Sequence, residues 1–224
     1  MASGALAIFS PVPLTSEVRD TVASQGGNVR YIAAPDIEHH LNVTAWKKAY
    51  PDAEIIAPEG LWEKRQKQAT IEPIFQHVFT RQEPQKSVSP EFDAEFSTEY
   101  VYGHVNRELV FLHKASKTLI EADLLFNMPP TEQYSRASAE QRKGRIIDRV
   151  FAWPMKASSV WQRRFAWYLL ASPDHKAFTN SMRRIDQWDF DRLIPCHGDV
   201  IETGAKGVFE DAMAWFLADQ LKKE

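Results

Sequence analysis

The chain has 224 residues, 44% hydrophobic and 25% charged, with a formal charge of −3. That length suffices for a substantial buried core, and the charge balance offers no clustered basic face for nucleic acid. Cys196 is the only cysteine, which excludes an intramolecular disulfide framework, and no apolar run approaches the ~20 residues of a membrane span. The opening MASGALAIFSPVP has no basic n-region and no long apolar stretch, so it does not read as a signal peptide. The expected location is the cytosol, with no membrane partner. The whole of residues 1–224 reads as one domain.

Ala5–Phe9 is a short apolar run closed by the turn-like SPVP, and reads as a buried strand. Thr15 is a helix cap for an apolar face containing Val18 and Val22, and Gly26-Gly27 ends that helix. Asn28–Ala33 reads as a second strand. After the loop PDIEHH, Asn42 is placed to cap a helix through Trp46 and Tyr50, which Pro51 stops. Ala53–Ala57 is a third strand. Strands separated by helices at this spacing argue for βαβ units.

The middle of the chain changes character. Glu99–Tyr102, Glu108–His113 and Thr118–Glu121 are short strands, with Lys114–Lys117 as a hairpin turn. Residues 129–147 are polar and read as an exposed loop or short helix, with the basic stretch Arg142–Arg149 a solvated face. Residues 149–170 gather Phe151, Trp153, Trp161, Phe165, Trp167 and Tyr168 on a helical segment. They suit either a substrate pocket or a packed helix. Arg192–Pro195 is one more strand. Lys206–Leu221 places Phe209, Ala212, Met213, Phe216 and Leu217 on one face of an amphipathic helix.

Six residues at or just beyond strand ends are of types that ligate metals: Asp36, Glu38, His39, His104, Asp123 and His197. Carboxylates and imidazoles delivered from several strand ends are how a fold assembles a metal site. Each also has an ordinary reading. Asp36 lies in a PD turn before a helix, Asp123 suits a strand-end cap, and His197 suits a loop. His77, His113 and His175 have no evident partner and read as surface residues. Cys196 reads as a small buried hydrophobe, with a soft ligand or reactive thiol as the alternative.

The segment GHVNRELVFLHKASKTLIEADLLF, residues 103–126, resembles the metallo-β-lactamase superfamily in its Gly-His, its hairpin and its aspartate before an apolar pair. Ala122 stands where that pattern has glycine. RLIPCHGDVI, residues 192–201, is similar to the late Pro-Gly-His-Gly strand end, with Cys196 for the first glycine. The diagnostic His-x-His-x-Asp-His corresponds to Ala34-x-Asp36-x-Glu38-His39, so only the last histidine is retained. That altered form resembles a divergent branch of the superfamily known only as domains of unknown function.

The resemblance implies an α/β (α+β) domain, a four-layer αβ/βα sandwich. The superfamily carries strands ahead of the one at Ala5–Phe9, so this chain either belongs to a branch without them or is shortened. An uncovered sheet edge invites pairing with another chain, which makes a homodimer an expected partner.

The resemblance further implies two metals about 3.5–4 Å apart. The first would take Asp36, His104 and bridging Asp123, and the second Glu38, His39, His197 and Asp123. Glu38 has a second expected role as general base, and His40 replaces His39 if the register shifts by one. Zn²⁺ is the expected ion, in one or two copies, with Fe or Mn as alternatives for a carboxylate-rich set. The leading expectation is a metal-dependent hydrolase of a small ester, lactone or thioester, with Glu38 and Asp123 as its catalytic residues. The alternatives are a lyase, isomerase or oxygen-using enzyme on an aromatic, natural-product-like substrate, or a metal-free binding protein.

Overall fold

The computed structural model describes residues 1–67, 74–136, 138, 155–157 and 159–218. The first half alternates strand and helix: β1 (Leu6–Phe9), α1 (Ser16–Ser24), β2 (Val29–Ala33), α2 (Val43–Ala49), β3 (Glu54–Pro58), α3 (Leu61–Gln66) and β4 (His77–Phe79). Its four strands pair in parallel in the order β1-β2-β3-β4. The short helix α4 (Pro90–Glu95) leads into β5 (Phe96–Val101), followed by β6 (Glu108–His113) and β7 (Thr118–Ile120). These three strands form an antiparallel meander, and β8 (Arg192–Ile194) joins β7 in parallel. Between β7 and β8 run α5 (Val160–Phe165), its π-helical continuation Ala166–Leu170, and α6 (His175–Asp186). Helices α7 (Ala205–Ala212) and α8 (Ala214–Leu217) follow β8.

Period-two alternation decides which face each residue takes. In β2, Tyr31 and Ala33 point between the sheets, while Ile32 points to the helices on the outer face. In β6, Leu109 and Phe111 point between the sheets, while Val110 and Leu112 point to the other helical layer. Three apolar clusters result. One lies between the sheets, one between the first sheet and α1, α2 and α3, and one between the second sheet and the later helices. The layer order is therefore helix, sheet, sheet, helix. Phe111 is wholly buried in the central cluster, with Phe9 at 4.8 Å. Phe111→Ala is expected to cost about 3–5 kcal/mol of stability, measured by denaturant unfolding.

The local expectations differ from the fold in identifiable ways. Asn42 stands at the α2 N-cap, but its side chain donates to the Pro11 carbonyl instead of capping. Strand β5 begins at Phe96, three residues earlier than expected, because Phe96 joins Phe92 and Phe9 in the central aromatic core. The final helix breaks at Met213 into α7 and α8, while Phe209, Ala212, Met213 and Phe216 all remain buried. Helix α6 was not anticipated, although Ala177, Phe178, Ser181, Met182 and Ile185 form its buried stripe at helical spacing.

His77 Nε2 lies 2.5 Å from Glu54 Oε2, His113 meets Ser116 at 2.7 Å, and His175 packs on Trp167. None of the three is the partnerless surface residue expected. In the aromatic segment, Trp161 and Tyr168 are exposed, Trp167 packs on Trp215 and Phe216, and Phe165 meets Phe126. Phe151, Trp153 and the stretch Arg142–Arg149 lie outside the described residues.

Candidate metal centre

Two parallel strands set the level of two candidate ligands. Ile120 of β7 pairs with Ile194 of β8. Asp123 and His197 each lie three residues beyond that pair, so both leave the sheet at the same edge. Gly198, at φ +114°, lets the β8 turn close against the preceding loop. A Cβ there would sit 2.1 Å from the Asn127 carbonyl oxygen. The third group comes from the loop after β2. That loop is tied across the sheets, since Leu109 N donates to the Pro35 carbonyl and Ile37 N to the Asn106 carbonyl.

His39, Asp123 and His197 converge. His39 Nε2 lies 3.2 Å from His197 Nε2 and 3.8 Å from Asp123 Oδ1, and His197 Nε2 lies 3.1 Å from the same oxygen. Despite these distances, Asp123 Oδ1 is buried without a hydrogen bond. Three donors bonded at 2.0–2.2 Å to a tetrahedral zinc stand about 3.3–3.6 Å apart. The observed triangle fits a single divalent cation, and the orphaned carboxylate oxygen is the atom such a cation would satisfy.

Outer groups hold two of the three donors. Asp36 is wholly buried, and its Oδ1 accepts from the backbone N–H of Glu38 (2.8 Å) and His39 (2.6 Å). Its Oδ2 lies 2.9 Å from His39 Nδ1. With Nδ1–H given to Asp36, the lone pair of neutral His39 is at Nε2, facing the triangle. Burial works to lower the His39 pKa, but the hydrogen bond and charge of Asp36 outweigh it and raise it above 6.5. On Asp123, Oδ2 accepts from Asn106 Nδ2 at 2.6 Å. Burial works to raise the Asp123 pKa, while His197 and His39 prevail and hold it below the usual range. Phe126 stacks on the His197 ring at 5.2 Å and 7°, with Phe165 behind it.

The structure does not bring the other expected ligands into the cluster. Glu38 is turned outward and ion-pairs with Lys64 at 2.7 Å. His40 is buried, and its Nδ1 and carbonyl oxygen both meet Arg65, so the histidine of this loop that reaches the cluster is His39. His104 is wholly buried; its Nδ1 accepts from Asn106 N at 3.1 Å, and its Nε2 has no hydrogen-bond partner. Burial lowers its pKa to about 4. Cys196 Sγ lies 3.0 Å from Ser10 Oγ, and burial pushes its thiol pKa up, which disfavours a thiolate.

Three contributors went unrecognised in sequence. Asn106 and Phe126 carry no motif signal. Glu108 is an acid leading an otherwise apolar strand, and it proves wholly buried. Its carboxylate accepts from Ala122 N at 2.8 Å and Asp123 N at 3.0 Å, and burial raises its pKa well above 4.5. Gly103 lets the turn after β5 lie close against the start of α6. A Cβ at Gly103 would meet the α6 backbone at 2.5 Å.

A family model described as a domain of unknown function (DUF4336) matches residues 1–180. None of the curated proteins compared matches the chain. Among solved structures, the DIM-1 metallo-β-lactamase is similar at 12% identity, over 97% of this chain and 84% of that one, with a TM-score of 0.55. The metal-soaked Flv1 flavodiiron core from Synechocystis sp. PCC6803 is similar at 11% identity, over 97% of this chain, with a TM-score of 0.62. Rubredoxin oxygen:oxidoreductase from Desulfovibrio gigas is similar at 12% identity, over 90% of this chain, with a TM-score of 0.59. This chain covers 51% and 48% of those last two chains. The shared architecture is the metallo-β-lactamase fold, and the chain is a member of the DUF4336 family.

Proposed function

We propose that the protein is a metal-dependent hydrolase of a small ester, lactone or thioester, with its ion on His39, Asp123 and His197. The observation that carries this reading is the convergence of two imidazole nitrogens and a carboxylate oxygen that is buried without a hydrogen bond. Three protein donors plus an open position is the usual composition of a catalytic zinc site. A bound divalent ion supplies Lewis acidity and an acidified water.

The chain's own residues do the rest. Asp36 fixes the tautomer and direction of His39, and Asn106 fixes the rotamer of Asp123. Phe126 shields one face of His197. Similarity to a metallo-β-lactamase, a flavodiiron core and a rubredoxin oxygen:oxidoreductase supports a metalloenzyme without choosing its reaction. The test is elemental analysis of protein purified without chelator, followed by turnover of a panel of aryl esters, lactones and thioesters. Expected are bound zinc and chelator-sensitive hydrolysis. Trace metal, or hydrolysis that chelator leaves unchanged, overturns the reading.

A second reading has one specific observation behind it. Two histidines and one carboxylate on one side of an ion form the ligand set of non-haem ferrous oxygen-using enzymes. Iron in place of zinc in the same elemental analysis, with oxygen uptake on an aromatic substrate, favours it.

Asp36→Asn keeps the shape but weakens the hold on His39. The expected result is a ~10–100-fold loss of zinc affinity by calorimetry. Because Asp36 raises the His39 pKa, protons compete with zinc from above pH 6.5 downward in the native protein. In the variant that competition shifts to lower pH.

A further inference from the structure

A two-ion centre needs a carboxylate free to bridge and a second set of donors beside it. Among the described residues that second set is missing. On Asp123 only Oδ1 lacks a hydrogen bond, since Oδ2 accepts the Asn106 amide at 2.6 Å. Ala34 carries no donor and is buried in the outer core with Ile32, Val43 and Trp46. Asp36 spends both oxygens on its own loop and on His39. That leaves His104, wholly buried, with an unpartnered Nε2 that faces Glu108 Oε2 at 3.8 Å. Glu108 itself is wholly buried and already accepts two backbone N–H groups, those of Ala122 and Asp123.

Resting on the metal reading above, we infer that the centre holds one divalent cation, and that Glu108, not a second ion, ties the Asp123 turn to the β5–β6 turn as a positioning residue. Glu108 is an internal brace. It joins the two turns that carry Asn106 and Asp123, the amide and the carboxylate that must meet for Oδ1 to point at His39 and His197. Removing one acceptor from Glu108 frees a backbone N–H behind Asp123 and loosens that aim without touching a ligand.

The experiment is zinc titration of the chelator-stripped full chain by calorimetry, with stoichiometry by elemental analysis and folding by circular dichroism. The wild type is expected to bind one equivalent, and His197→Ala none. His104→Gln is expected to retain one. Glu108→Gln is expected to retain one equivalent with affinity lowered ~10–100-fold, the scale of an outer-group loss. Two equivalents in the wild type, the second lost in His104→Gln, overturn the single-ion inference while leaving the metal reading intact. Unchanged affinity in folded Glu108→Gln overturns the positioning role. No zinc in the wild type overturns the metal reading, and this inference with it. Should His104→Gln fail to fold, wild-type stoichiometry and Glu108→Gln decide the question.

Discussion

His197→Ala is expected to abolish zinc binding in a titration that the wild type saturates, with little change in unfolding midpoint. The asymmetry follows from where the residue sits. His197 leaves the end of β8 with its side chain 45% exposed, so its loss opens no large cavity. Yet it supplies one of only three donors. Asp123 would then face a single imidazole, at 3.8 Å. The affinity loss should exceed the ~10–100-fold expected for an outer residue such as Asp36. If His197→Ala binds zinc as tightly as Asp36→Asn does, the ligand assignment is wrong.

Gly198→Ala is the second large effect, and here stability and metal affinity should fall together. Position 198 has φ +114°, which L side chains rarely adopt. The new methyl would also lie 2.1 Å from the Asn127 carbonyl oxygen and 2.2 Å from its carbon. Backbone cannot swing aside as a side chain can. Strain and overpacking together should cost about 3 kcal/mol or more, read from chemical denaturation. Asn127 N donates to the His197 carbonyl at 3.0 Å, so relief of the clash displaces the ligand itself. A folded Gly198→Ala protein with native zinc affinity would show that the turn does not aim His197.

The sheets were legible because alternation and βαβ spacing are local signals. Ile55, Ile56, Leu109 and Phe111 are apolar on whichever face they occupy, so their strands stand out. Strand β4, His77–Phe79, was not read from the sequence. At the site, the flanking motifs put forward Asp123, His197 and His39, and the structure brings these three side chains together. The differences among the carboxylates are long-range matters. Lys64 draws Glu38 outward from 26 positions away, and nothing within PDIEHH announces it. Asp36 folds back on its own loop, a geometry that a sequence cannot distinguish from one pointing forward. Glu108 leads a strand, where an acid ordinarily meets water. Only the pairing of β5, β6 and β7 buries it.

The parallel match of Ile120 to Ile194 has a consequence for how this chain tolerates change. Two ligands hang at equal depth because each turn is counted from a common rung of the ladder. Lengthening the chain between Asp123 and the start of β8 at Arg192 leaves that count untouched. Adding or deleting one residue within 121–123 or 195–197 does not, since a single step sends a side chain to the opposite side. The long excursion through α5 and α6 is therefore free to vary in length, while two three-residue spacers are not. Size variation among relatives that keep this centre should fall between the rungs and never above them.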